Sequence, residues 1–393
     1  MNNDLSSYFE DPEFKEALEK YEGMVKNHTP AYFDADELTD IAEYYASKGR
    51  QIEAEAAIDF ALQLHPNDTD ALIFRARSLA MKGRLDEAYM VMDLIEDRSD
   101  REVRFLKADL LMEEKRMEEA DHVFEELAAY EEGKLETLID IILAYIDANQ
   151  EALAKKWIKH VGETYDLASL SQKSQKFRDL LCDFYITFNN PEAAIPLLQA
   201  TLDCYPYSIN HWNSLGKCYL STNDYEEAHE AIDFALAIDD SNAEALTLKA
   251  FCYQQSGELQ KSCDYYLRLA EQQENKTRAY LALAKTYFEM QDYTSSIYYI
   301  EALLDNKDAL SKYELSELYG DIALCHAALK HIGVGQASIR RSLELNENDP
   351  DTLIVAGRFF LMEAKACNDE TAKAENQAKG ELYFRQALNL IME

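Results

Sequence analysis

Trp212-Asn213-Ser214-Leu215-Gly216-Lys217-Cys218-Tyr219, followed by Ala228, Ile232 and Ala235, is the stretch from which the rest of the chain can be read. A 34-residue ruler laid outward from it gives segment starts at 35, 69, 101, 135, 175, 209, 243, 277, 316 and 350. Seven of the nine spacings are 34 or within two of it, and the other two add five or six residues near 163–174 and 305–315. Positions not used to set the register then test it. The eighth place holds Ala42, Ala76, Ala108, Ile142, Cys182, Gly216, Ala250, Ala284, Ala323 and Gly357. The twentieth holds Ala54, Ala88, Ala120, Ala154, Ala194, Ala228, Ser262, Ser296, Gly335 and, past an insertion, Gly380. Small side chains recurring at two fixed places mark where two helices of one segment cross closely, and Ile142 is the clear exception.

The connections agree with paired helices. Gly49, Gly83 and Gly257 end first helices, and Asn149, Asn189 and Asn223 fall at the equivalent place. Glycine and asparagine are the residues that tolerate a left-handed C-terminal turn. Tyrosine fills the eleventh place in six of ten segments (Tyr45, Tyr145, Tyr185, Tyr219, Tyr253, Tyr287), supplying large rings beside the crossing.

The pattern at 212–235 resembles the tetratricopeptide repeat, W-x2-L-G-x2-Y followed by A-x3-F and A, with Asp240 in place of the usual closing proline. The resemblance covers some nine-tenths of the chain and implies an all-α fold, a right-handed superhelical α-solenoid of about ten antiparallel helix pairs. On this reading 1–34 is an N-terminal extension with one extra helix at about 11–27. Repeats one to four span 35–168, a linker 169–174, repeats five to eight 175–304, and repeats nine and ten 305–393. The tenth carries an insertion at about 364–378 whose Ala, Lys and Glu content favours extended helices.

Composition excludes several function classes. The chain has 393 residues and a formal net charge of −35, so duplex DNA or RNA would be repelled. No run of about 18 apolar residues offers a membrane span, and the N-terminus lacks a secretory pattern. Seven cysteines without a C-x-x-C pair read as buried thiols, which implies a reducing, cytoplasmic location. Eight scattered histidines, with no glycine-rich phosphate loop and no nucleophile elbow, give no metal, cofactor or catalytic set, and the chain reads as a non-enzyme.

In the tetratricopeptide family the first helices line a concave groove through their second, fifth, sixth, ninth and twelfth places. The resemblance therefore implies a partner-binding set of Asp40, Glu43, Ile73, Phe74, Phe105, Leu106, Asp109, Ile139, Asp140, Leu143, Leu180 and Asp183. Apolar anchors interleaved with carboxylates suit a basic, partly apolar peptide or protein segment. Carboxylates in a first helical turn also stabilise the helix dipole by about 0.3–1 kcal/mol without any ligand. A secondary groove set, Asn213, Lys217, Phe251, Arg278, Lys285 and Phe288, is weakly basic and would suit an acidic peptide or a C-terminal carboxylate. The Lys–Asn–Arg clamp of chaperone-binding relatives is missing: no fifth place is Lys, no ninth Asn and no sixth basic. The sequence thus points to a scaffold or adaptor, with a peptide-sensing regulator or an accessory subunit of an enzyme complex as alternatives. The C-terminal end is a candidate for self-association.

Overall fold

The computed structural model describes residue 9 and residues 11–27, 30–305 and 310–392. Asp308, expected as a closing residue, lies outside them, as does His28. Among the described residues there are twenty-two α-helices, one short 3₁₀ turn at Gln273–Asn275 and no strand. Two compact units divide them, Met1–Phe188 and Asn189–Glu393.

The first unit contains α1 (Pro12–Asn27) and then the pairs α2 (Ala35–Ser47)/α3 (Gln51–Leu64), α4 (Thr69–Met81)/α5 (Leu85–Met92), α6 (Arg101–Glu113)/α7 (Met117–Tyr130) and α8 (Leu135–Asp147)/α9 (Glu151–Thr164). It closes with α10 (Leu167–Lys173) and α11 (Gln175–Thr187). The stretch expected as a linker is therefore mostly helical. The buried guanidinium of Arg178 donates to the carbonyls of Ser171 and Gln172 at 2.9 Å each, satisfying acceptors that the end of α10 leaves open. Helix α5 has only eight residues because repeat two is short, and Asp100 caps α6 instead of closing α5, accepting from the Glu102 amide at 2.8 Å.

The second unit opens with α12 (Pro191–Cys204) and continues as α13 (Ile209–Thr222)/α14 (Tyr225–Ile238), α15 (Ala243–Gln255)/α16 (Leu259–Ala270), α17 (Lys276–Glu289)/α18 (Tyr293–Leu304), α19 (Lys312–Ala328)/α20 (Ile332–Leu345) and α21 (Pro350–Ala366)/α22 (Glu370–Met392). The insertion in repeat ten is absorbed as helix, giving α21 17 residues and α22 23.

Both small-residue places are buried in every repeat, Ile142 included. Within each unit the backbones of paired helices come close there. Ser296 Oγ donates to the Ala284 carbonyl at 2.9 Å, joining the twentieth place to the eighth. A methyl group added at Gly216 would lie 2.7 Å from Ile232 Cγ1, and one added at Gly380 would lie 3.0 Å from the Gly357 carbonyl oxygen. Glycine is therefore required at these crossings by space rather than by backbone angle.

At the turns, Gly49, Gly83, Gly257, Asn149, Asn189 and Asn223 all have positive φ. Lys115, Gln291 and Lys330 stand at the same place with φ of 61°, 63° and 61°, although their side chains make this conformation costly. The eleventh-place rings pack inward: fully buried Tyr145 donates its hydroxyl to Asp121 at 3.0 Å, and Trp157 Nε1 donates to the same carboxylate at 2.9 Å. Burial alone would raise the Asp121 carboxyl, but hydrogen bonds from Lys156, Trp157 and Tyr145 outweigh it and hold the group below its ordinary value. One buried charge was not foreshadowed. Lys249, 2% exposed, occupies the seventh place, where Ile41, Ile141, Leu215 and Leu283 stand in other repeats, and its ammonium meets Asp233 at 2.6 Å.

Candidate functional site

The first helices of repeats one to four gather carboxylates on one side of the first unit. Those of repeats one to three start from an acidic cap: the Asp34 amide donates to Glu37 at 2.9 Å, Asp68 accepts from the Ala71 amide at 2.9 Å, and Asp100 accepts from the Glu102 amide at 2.8 Å. This arrangement brings Asp36, Asp68, Asp70, Asp100 and Glu102 near enough to raise the Asp70 carboxyl together with its burial. The Glu43 carboxyl is raised too, first by burial and then by Asp40, with Arg77 opposing and Asp70 and Glu102 adding. Burial pushes Asp109 up to about 6, outweighing Arg77, whose Nε lies 3.4 Å away, and Glu102 and Asp147 add a smaller repulsion. Two guanidiniums answer this set. Arg77 serves Glu102 at 3.7 Å as well as Asp109, and Arg101 pairs with Asp140 and Glu102. Burial is the main cause of each raised carboxyl, and the neighbouring carboxylates add to it.

The apolar members of the expected set divide. Phe74 and Leu143 are half-buried and reachable. Ile73, Phe105 and Ile139 are 4%, 7% and 8% exposed, and Leu106 and Leu180 are 0% and 1%. Leu106 packs among Leu72, Ala76, Val103 and Leu110, and Leu180 among Ile139, Ile142 and Phe184. These five are core, because the fifth and sixth places of one first helix face the neighbouring first helix as well as the groove. Asp40, Asp109 and Asp140 are half-buried, and Glu43 and Asp183 exposed. Arg101 and Asp147 belong to this face but lie at first and thirteenth places, outside the family's groove positions.

The matching face of the second unit is different. Asn213 is 1% exposed and donates from Nδ2 to Asn242 and Glu244 at 3.1 Å each, so it is a structural residue rather than a contact. Lys217 pairs with the same Glu244. Phe288 packs edge-on to Tyr293 at 5.4 Å, whereas Phe251 is 42% exposed. Exposed Arg278 and Lys285 remain on the surface. Burial raises the Asp321 carboxyl to about 6, opposed by Lys285 and Arg358 and reinforced by Glu317. Of the expected basic stripe, Lys217 is paired with Glu244, and Lys285 lies within the field of Asp321.

Among the described residues no group of three or more His, Cys, Asp or Glu side chains is placed to hold a metal ion, and no helix is long and apolar enough to cross a membrane. The seven cysteines are free thiols.

Consecutive antiparallel helix pairs crossing at small residues define a helical-repeat protein. The tetratricopeptide-repeat family model matches residues 39–89 and 213–277, one stretch in each unit. The same register runs through the helix pairs of both units, and the fold is that of tetratricopeptide repeats, found in protein-interaction scaffolds that are typically non-enzymatic. It is 26% identical over 191 residues to the formate-dependent nitrite reductase complex subunit NrfG of Escherichia coli O157:H7, covering 47% of this chain and 89% of the relative. Similar solved structures include the C-terminal part of a repeat protein from Cytophaga hutchinsonii (TM-score 0.48, 17% identity, 64% of this chain and 98% of that one). Another comes from Parabacteroides merdae (TM-score 0.46, 16% identity, 66% and 98%).

Proposed function

We propose that the first-helix face of the unit Met1–Phe188 binds a basic, partly apolar segment of another protein, making the chain an adaptor. The observation that supports this most is the group Asp40, Glu43, Asp70, Glu102 and Asp109 on one face, where mutual repulsion adds to burial and two guanidiniums, Arg77 and Arg101, answer the set. A ligand's ammonium or guanidinium groups would relieve that repulsion, and half-buried Phe74 and Leu143 would take apolar side chains. The seven free thiols are in keeping with a reducing, cytoplasmic setting. Regulation by peptide occupancy is a variant of the same reading.

Fluorescence anisotropy with a labelled Lys/Leu peptide and its Glu/Leu counterpart tests the proposal. The basic peptide is expected to bind, and to weaken as salt rises from about 50 to 300 mM. Equal binding of both peptides, or indifference to salt, would overturn it. Changes at Phe105 or Leu106 are unsuitable here because those side chains are core.

A second reading, an accessory subunit of an enzyme complex, draws on the similarity to NrfG over 191 residues. Co-purification of the chain with an enzyme, through either unit, would favour it.

A further inference from the structure

Between α7 and α9, the second helices of repeats three and four, lies a hollow of about 390 Å³. Ala128, Ala129 and Gly133 make the room on the α7 side, and Trp157 forms the wall on the α9 side. A ring this large is out of pattern, since the same place in the three preceding repeats carries Ala57, Val91 and Val123. The indole does not swing across the gap because it is held: Trp157 is 2% exposed, and its Nε1 donates to Asp121 at 2.9 Å. Opposite it, the Tyr165 hydroxyl donates to the Gly133 carbonyl at 3.3 Å and ties the turn after α7 to the end of α9. Both walls are thus set in place without a ligand. The volume is more than twice the roughly 150 Å³ that accommodates benzene, and falls within the range of small-molecule sites.

Charge at the rim selects the ligand. Lys156 is spent on its neighbours, 2.5 Å from Asp121 and 2.6 Å from Glu125. Glu132, on the same rim, is exposed and has no ion pair among the described residues. The rim is therefore net negative. Ala128 and Ala129 also belong to the last turn of α7, so the negative end of that helix's dipole lies at the same opening. An anion would be opposed by both features and a cation held by both, while the alanine and indole walls suit an apolar body. We infer that this hollow binds a small organic cation, a primary amine on a short arm joined to a flat apolar body, the body lying against Trp157 and the ammonium reaching Glu132. The site is separate from the first-helix face and does not rest on the peptide-binding reading.

Calorimetric titration of the full chain with 2-(2-naphthyl)ethylamine tests this, with 3-(2-naphthyl)propionate and Nα-acetyl-lysine amide as controls. The amine should bind with a dissociation constant below about 1 mM, as its size allows, and each control about tenfold more weakly or worse. Ala129→Leu should fill the hollow and remove binding, with circular dichroism unchanged because Ala129 is exposed. Glu132→Gln should weaken the amine about fivefold. The pair Glu43→Gln and Asp70→Asn, on the first-helix face, should leave its affinity as it is. Equal binding of amine and carboxylate would overturn the inference, as would an amine that fails to bind or that binds the Ala129→Leu chain undiminished. Lysine amide binding as tightly as the naphthyl amine would overturn it too, since the flat body would then contribute nothing.

Discussion

The two units share a register and differ in what their first helices do with charge. In the first unit, carboxylates at the groove places crowd one another, and Arg77 is stretched between Glu102 and Asp109. In the second, Lys217 is matched by Glu244, and the lone half-buried Asp321 stands between the fields of Lys285 and Arg358. The crossings use the same small residues in both. Fold and surface charge are therefore written at different places of the same repeat, and one varies without disturbing the other.

The largest expected effect tests the shared part. Gly216→Val in the second unit and Ala120→Leu in the first force bulk into a closed crossing, and each should cost about 3 kcal/mol in urea unfolding. A loss confined to one unit would mean that the two do not use the crossing alike. The next prediction tests what differs. Glu43→Gln with Asp70→Asn should weaken binding of the Lys/Leu peptide about tenfold, near 1.4 kcal/mol, whereas Arg278→Gln with Lys285→Gln should leave it within about twofold.

A third prediction concerns Asp109 and Asp321, one in each unit and both raised to about 6 by burial. A carboxyl whose folded pKa is raised favours folding below its unfolded pKa near ~4, and that contribution is lost as pH climbs through 6. Asp109→Asn and Asp321→Asn should each stabilise the chain by about 1 kcal/mol at pH 7, after discounting for solvent, and by nothing at pH 4. Thermal melts at the two pH values check this. The smallest effect is at the turns. Lys115→Gly and Lys330→Gly should each add about 0.5 kcal/mol, the relief of a left-handed residue less the entropy of glycine.

Much of the fold was legible because steric demands repeat. Ala, Gly and Ser at the eighth and twentieth places, and Gly or Asn at the turns, answer local geometry that every repeat must satisfy. The short α5 and the added α10 were harder to see, since they arise where spacing departs from 34 and no periodic signal survives. Site residues were legible only in part. Asp40, Glu43 and Asp109 fall on the charged face as their places imply. Leu106, Leu180 and Asn213 do not, because a place facing both groove and neighbouring helix is decided by packing that one sequence leaves open. Lys249 was invisible for a related reason: a lysine at a leucine place becomes tolerable through Asp233 and the His229 carbonyl on another helix.

The line between the units falls at Phe188 and Asn189, inside the fifth repeat, with α11 on one side and α12 on the other. Phe177, Leu180 and Phe184 of α11 belong to the same apolar cluster as Ile139 and Ile142. A fragment cut at residue 174, where sequence duplication suggests a seam, would tear that cluster open. One cut after 188 would keep it whole. The stretch that repeats in the sequence is thus not the stretch that packs as one unit, and truncations of this chain should respect the second.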